Sequence, residues 1–156
     1  MYNLYVGNPY ETCRDGDTIC VTTNGQIRKD GKAVMGRGSA KFARDTFGAD
    51  GILAEYLKQY GNRAFILGNY PYKGKTITLV SFPTKHHWRD KSDIHLIEKS
   101  AEQLVEMADK FHLKRVYIPI PGCSNGELCW SDVKRVLKGL DERFIVYSLK
   151  EEDFNK

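Results

Sequence analysis

Six runs in this chain are apolar at consecutive rather than alternate positions: "YNLYV" (2–6), "TICVTT" (18–23), "AFILGN" (64–69), "TITLVSF" (76–82), "VYIPIP" (116–121) and "FIVYSL" (144–149). A strand with one wet face alternates apolar with polar residues; a strand covered on both faces does not need to. Each run is short, rich in β-branched and aromatic residues, and bounded by Gly, Pro, Asn or Asp, as strands are. They point to a sheet lying between two layers of other structure. Helical patterns alternate with them. In 93–112, Ile94, Ile97, Ala101, Leu104, Val105, Ala108 and Phe111 recur at helical spacing, with Ser92 or Asp93 placed to cap the first turn. A second helix is expected from Ser39 through Phe47, with "ILAEYLKQY" as a possible separate continuation. A third is expected after Trp130, capped by Ser131, with Val133, Val136, Leu137 and Leu140 facing inward. Interleaved strands and helices give an α/β fold.

The 156 residues carry no linker, repeat or low-complexity segment, so a single domain over 1–156 is expected. At 41% hydrophobic and 28% charged the chain is not mainly disordered. No apolar run approaches the ~20 residues of a membrane span, and "MYNLYVGNPY" does not read as an export signal. A cytoplasmic protein with reduced thiols is expected. Cys13, Cys20, Cys123 and Cys129 form no CxxC pair and no zinc-ligand pattern, so no metal is implied. Cys20 reads as a core residue; Cys123 could serve as a nucleophile, although no histidine or carboxylate lies near it in sequence. The net charge of +4 is too small to establish nucleic-acid binding, but it suits a polyanionic ligand.

In α/β sheets ligands sit beyond the carboxyl ends of strands. After "TICVTT" come Asn24, a polar excursion "GQIRKDGK", and then "AVMGRGSA", opening a helix. Gly31 and Gly36 have the spacing of a P-loop, but Arg37 and Gly38 replace its lysine and hydroxyl residue, leaving nothing to hold magnesium. Gly36 and Gly38 match part of a dinucleotide fingerprint, but Lys41 stands where its third glycine belongs. What survives is a bare backbone before a helix N-terminus, which favours an anion; a tight turn with glycines for packing is the other reading. After "VYIPI" comes a second glycine loop running from Pro121 and Gly122 to Gly126. Two such loops at neighbouring strand ends could grip a pyrophosphate.

The third strand end carries "PTKHHWRDKSD". Lys85 follows a strand and a proline, so its base is fixed. In a desolvated pocket it can act as base or nucleophile; beside phosphates it stays charged as a clamp; otherwise it is a surface lysine. His86 and His87 point to opposite sides in extended chain, so capping or stacking suits them better than joint metal binding. Trp88 either packs or stacks on a base.

Taken together, "VMGRG", "FPTKHHWR" and "GCSNGELCW" resemble the macro domain family, most nearly the branch of DNA ADP-ribosylglycohydrolase antitoxins and terminal ADP-ribose hydrolases. The resemblance implies a three-layer α/β/α sandwich with a mixed central sheet. It implies binding of ADP-ribose without a cofactor or metal, and its hydrolytic removal from modified DNA, RNA or protein. It places Gly36, Arg37, Gly38 and Ser39 on one side of the ligand and Ser124, Asn125 and Gly126 on the other, with Asn8, Met35, Pro121, Gly122, Cys123 and Glu127 as further ADP-ribose-binding residues. Asn24 would sit near the distal ribose, and Lys85 would act at its anomeric carbon. Three departures stand out. Asn8 replaces the family's adenine-holding acidic residue, with Asp15 or Asp17 as possible substitutes. The excursion would bring extra cations beside the distal ribose. The catalytic aspartate of the vertebrate hydrolase falls at Gly126, so a lysine–aspartate pair does not carry over. A non-catalytic ADP-ribose or signalling-nucleotide reader and an ADP-ribose 1″-phosphate phosphatase are the alternatives.

Overall fold

The computed structural model describes residues 1–123 and 127–156. Its elements in chain order are β1 (Asn3–Val6), α1 (Pro9–Thr12), β2 (Thr18–Thr23), α2 (Gly38–Phe47), α3 (Asp50–Tyr60), β3 (Phe65–Tyr72), β4 (Lys75–Pro83), α4 (Ile94–Phe111), β5 (Val116–Pro119), α5 (Trp130–Val136), β6 (Phe144–Ser148) and a final 3-10 turn (Glu151–Asn155). The strands form one six-stranded sheet in the order β1-β6-β5-β2-β4-β3. Only β3 runs antiparallel, paired with β4 through a two-residue turn. At that turn Lys73 and Gly74 both take positive φ, 47° and 79°, the primed geometry that matches strand twist.

Burial on both faces explains the apolar runs of β2, β4, β5 and β6, whereas the edge strand β1 does not fit that expectation and leaves Leu4 51% and Val6 46% exposed. Cys20, Val80, Phe82, Val116, Ile118, Phe144 and Val146 pack against Ile97, Ala101 and Leu104 of α4 and Val133 of α5. Their neighbours one residue away point the other way: Val21 and Leu79 meet Ala40, Ala43, Leu53 and Leu57 of α2 and α3. Ile19, Ile77, Tyr117 and Tyr147 meet Tyr10 and Phe42. Helices therefore cover both faces of a mixed sheet, the α/β/α arrangement expected.

Capping explains most boundaries. Asp93, not Ser92, caps α4, its Oδ1 accepting from the N–H groups of His95 at 2.9 Å and Leu96 at 3.4 Å. Gly48, left-handed at φ 65°, ends α2 and makes α3 a separate helix. Ser131 is not a cap: α5 starts one residue earlier, with Cys129 before it and no side-chain cap bond. Phe111, expected to face inward, ends α4 at 52% exposure. The run 116–121 is strand only to Pro119, since Pro121 has no N–H with which to extend a ladder. The four-residue helix α1 and the final 3-10 turn are additions to the sequence reading. Asn8 and Pro9 do carry the signal for α1, a capping side chain followed by proline at the first helical position.

Candidate functional site

Topology brings the candidate loops together. β1, β6, β5, β2 and β4 are mutually parallel, so their carboxyl ends lie along one edge of the sheet. From that edge leave Asn8 after β1, the segment 24–37 after β2, 84–93 after β4, 120–123 after β5 and 149–150 after β6. Two cavities open there. The larger, about 680 Å³, is lined among others by Asn8, Gly38, Ser39, Gly122, Cys123 and Lys150. The smaller, about 270 Å³, is lined by Asn24, Met35, Gly36, Arg37, Trp88 and others. Thr22, Thr84 and Lys85 line both, so Lys85 stands where the two cavities meet.

The backbone around Lys85 is held from several directions. Asn62 Nδ2 donates to the Lys85 carbonyl at 2.9 Å. Gly25 N–H donates to the His86 carbonyl at 3.1 Å, and Thr84 N–H to Thr23 at 3.0 Å. Asp93 N–H donates to the Thr84 carbonyl at 2.8 Å, and His86 Nε2 sits 3.2 Å from Asp93 Oδ2. Burial works against the charge on Asp93, but the donors from His95, Leu96 and His86 outweigh it and hold the carboxyl below its ordinary range. Asparagine 62 went unread in the sequence because its role depends on a loop 23 residues away.

The wall opposite is the start of α2. Arg37 occupies its N-cap position without a side-chain cap bond, and Gly38 and Ser39 of the first turn line the larger cavity. Ser39 Oγ accepts from Thr22 N–H at 3.1 Å and lies 3.3 Å from Thr22 Oγ1, which fixes the helix end to β2. Gly38 is left-handed at φ 54°. On the far side Gly122 is left-handed at φ +77°, and a Cβ there would come within 2.9 Å of Ile97 and Leu128 and 3.0 Å of Ser92. Both packing and conformation therefore demand glycine at 122.

Chains of known structure share this architecture. No family model matches the sequence. A segment of 59 residues, 38% of this chain, is 34% identical to the DNA ADP-ribosyl glycohydrolase of Mycobacterium tuberculosis (strain ATCC 25618 / H37Rv), of whose length the match spans 17%. Another of 52 residues is 42% identical to a DNA ADP-ribosyl transferase-DNA ADP-ribosyl glycohydrolase fusion protein of Thermosipho africanus, spanning 33% of this chain and 13% of that protein. Each match therefore spans less than a fifth of the relative. Over the whole fold, the macrodomain of Mycobacterium tuberculosis DarG superposes with a TM-score of 0.72 at 22% identity, covering 94% of this chain and 97% of that one. Thermosipho africanus DarTG in complex with ADP-ribose superposes with a TM-score of 0.71 at 23% identity, covering 99% of this chain and 46% of that one. The chain has the macrodomain fold.

In this macrodomain, Asn8, Met35, Gly36, Arg37, Gly38, Ser39, Gly122 and Cys123 line the cavities. Pro121 and Glu127 do not line either one: Pro121 is buried, and Glu127 is exposed at φ 65°. Ser124, Asn125 and Gly126 lie outside the described residues. Asn8 Oδ1 is occupied as a helix cap, accepting from Tyr10 N–H at 3.0 Å. Asn24 Oδ1 accepts from Gln26 N–H at 3.0 Å and its amide donates to the Val34 carbonyl at 3.3 Å, so the residue shapes the loop it begins.

Two expectations are corrected by geometry. Asp15 and Asp17 precede β2 and so sit at the opposite edge of the sheet. Asp17 is paired with Arg115 at 3.2 Å and Asp15 accepts from Thr76 N–H at 2.7 Å, leaving neither near the site. The excursion does not bring its cations to the cavities. It folds back through a bridge between Ile27 and Ala33, and Arg28 pairs with Asp30 at 3.1 Å and Asp50 at 3.3 Å. Arg37 and Lys85 are the cationic residues that line the smaller cavity. Cys123 is a poor nucleophile, because burial pushes its thiol up to about 12. All four cysteines are free. The sequence reading missed Tyr10 and Phe42, whose rings lie 4.3 Å apart in the wall of the larger cavity, and the segment from Tyr147 to Lys150. No group of His, Cys, Asp and Glu among the described residues is arranged to hold a metal, and no helix there is long and apolar enough to cross a membrane.

Proposed function

We propose that this macrodomain binds ADP-ribose and hydrolytically removes it from a modified macromolecule, with single-stranded nucleic acid as the favoured carrier. Two relatives carry the name DNA ADP-ribosyl glycohydrolase or include it, and a structural neighbour was solved with ADP-ribose. The observation that carries the reading is the place of Lys85, at the junction of a large and a small cavity. The adenosine takes the larger cavity, and the pyrophosphate meets the start of α2 and Gly122. The distal ribose enters the smaller cavity beside Asn24, with its anomeric carbon toward Lys85.

Lys85 has two chemically distinct roles open to it. As a neutral amine it attacks the anomeric carbon while the bond to the macromolecule breaks, and water then releases the sugar from the lysine adduct. As a cation it stabilises charge in the transition state while water attacks. Replacing Lys85 with Ala is expected to stop release and to leave ADP-ribose binding measurable by calorimetry. Borohydride treatment during turnover separates the two roles, because only the covalent one gives a reducible imine on Lys85. Full activity in the alanine variant removes Lys85 from the mechanism.

A non-catalytic reader is the second reading. It is favoured by the absence of any carboxylate among the described residues lining the smaller cavity, which leaves no side-chain base there to activate water. Binding of ADP-ribose with no release from DNA, RNA or protein substrates would select it. The phosphatase reading loses its support, since Arg28, Lys29 and Lys32 line neither cavity.

A further inference from the structure

Trp88 is large, aromatic and 40% exposed, yet it lies on a segment whose backbone is heavily restrained. It forms part of the wall of the smaller cavity, beside Lys85 and Arg37. The Arg89 guanidinium lies 4.8 Å from the Trp88 ring centroid, and the His87 ring is nearly parallel to the indole, 24° away at 6.1 Å. The turn that carries the three is tied internally: Arg89 N–H donates to His87 Nδ1 at 3.2 Å and Asp90 N–H to the His87 carbonyl at 3.0 Å. The His86–Asp93 contact closes its base. A hydrophobic side chain this exposed contributes little to the core, so its restrained placement beside the reactive lysine calls for another cause.

We propose that Trp88 and Arg89 form a stacking platform for an unpaired nucleobase of the strand that carries the ADP-ribosylated nucleotide. The platform rests on the hydrolase reading above and supplies what that reading lacks, a site for the macromolecule at the rim of the smaller cavity, with Trp88 in its wall and Arg89 outside it. The Arg89 guanidinium already lies over the indole, so a base stacks on the exposed part of the ring or takes the place of the guanidinium. Arg89 and the exposed Arg37 and Lys91 provide cations for adjacent phosphates, with Asp90 as the opposing charge in the turn. Stacking of a base on an aromatic residue contributes roughly 1–3 kcal/mol and tolerates any sequence. A duplex hides its base faces, so a single strand is the form that fits. A peptide would use the indole as an apolar contact but would gain nothing from the surrounding cations.

The test uses a labelled, unmodified single-stranded oligonucleotide of mixed sequence, followed by fluorescence anisotropy at low salt, alongside release of ADP-ribose from the modified oligonucleotide. Trp88→Ala is expected to weaken oligonucleotide binding by ~5-fold to ~100-fold, the range that one stack supplies. Trp88→Phe is expected to recover most of it. Arg89→Ala, outside both cavities, is expected to weaken oligonucleotide binding while ADP-ribose affinity stays at the wild-type value; it keeps the test decisive if Trp88→Ala fails to fold. Unchanged oligonucleotide affinity in folded Trp88→Ala or in Arg89→Ala overturns the platform, as does tighter binding of a duplex of equal length. Should wild-type protein bind the strand through Trp88 and still release nothing, the platform stands and the hydrolase reading falls. Should release proceed equally well in Trp88→Ala, the reverse holds.

Discussion

The side-chain amide of Asn62, at the turn between α3 and β3, donates a 2.9 Å hydrogen bond to the backbone carbonyl of Lys85, at the exit of β4. The same asparagine packs against Gly25, where an added Cβ would lie 3.0 Å from the Asn62 Cγ. One side chain outside both cavities therefore braces the loop that begins at Asn24 and the loop that carries Lys85.

Asn62→Asp keeps the size of the side chain and removes the donor. The Lys85 carbonyl then faces a carboxylate, and the lysine loses its register with the cavities. The expected result is a fall in kcat of ~10-fold or more with ADP-ribose affinity little changed, since misplacement of a reacting group acts chiefly on the chemical step. A rise in KM at constant kcat would place Asn62 in substrate binding instead.

Lys85→Ala is expected to lower single-turnover release by at least ~10²-fold, the lower end of what a positioned catalytic group contributes. Lys85→Arg tests the charge alone. If Lys85 acts only as a cation, arginine retains part of the rate; if it attacks the anomeric carbon, arginine is as inactive as alanine.

Gly122 and Gly36 separate backbone demand from ligand demand. Gly122→Ala puts a side chain at φ +77° and against Ile97, Leu128 and Ser92. A loss of ~2 kcal/mol is expected, read by urea unfolding, with weaker ADP-ribose binding as the loop shifts. A Cβ at Gly36 meets nothing within 4 Å. Gly36→Ala is expected to fold with wild-type stability, so any loss of affinity in it reports direct contact with the ligand.

Asp93 caps α4 and meets His86, and its carboxyl titrates below its ordinary range. The folded state thus favours the ionised form more than the unfolded chain does. Its stabilisation is complete above about pH 4 and is lost as pH falls through the lowered folded value. Asp93→Ala is expected to cost ~1 kcal/mol at neutral pH, a typical loss for a helix cap, and much less in strong acid. Stability curves of the two proteins measured from pH 7 to pH 2 should converge; a constant gap would remove the ionised cap from the account.

Cys123→Ala should retain ADP-ribose release. The thiol is buried against the Pro121 carbonyl at 3.5 Å, and its raised pKa leaves almost no thiolate at neutral pH. Loss of release in a stably folded Cys123→Ala protein would reopen the thiol as a reacting group.

The central layer of this fold was legible in the sequence because burial on both faces leaves a direct mark, the consecutive apolar residues of β2, β4, β5 and β6. The edge strand β3 was truncated in that reading: Tyr70 to Tyr72 are half-buried or exposed and look like a turn, although they pair with Lys75 to Ile77. The short α1 was missed because four residues carry no periodicity. The loops at 31–39 and 120–123 were identifiable from their glycines, yet Gly122 is confined by packing whereas Gly36 is not, and the letters are the same for both.

The sequence by itself determined the layers, the order of strands and helices, and the presence of a lysine fixed just beyond a buried strand. Those follow from local rules, since hydrophobic period, caps and turn residues act within a few positions. Only the tertiary structure decided that β1, β6, β5, β2 and β4 end along one edge, that Lys85 stands between two cavities, and that Asp17 and Arg28 point elsewhere. Those outcomes depend on strand order and on pairings between residues far apart in the chain, and a side chain's partner is set by where the backbone carries it.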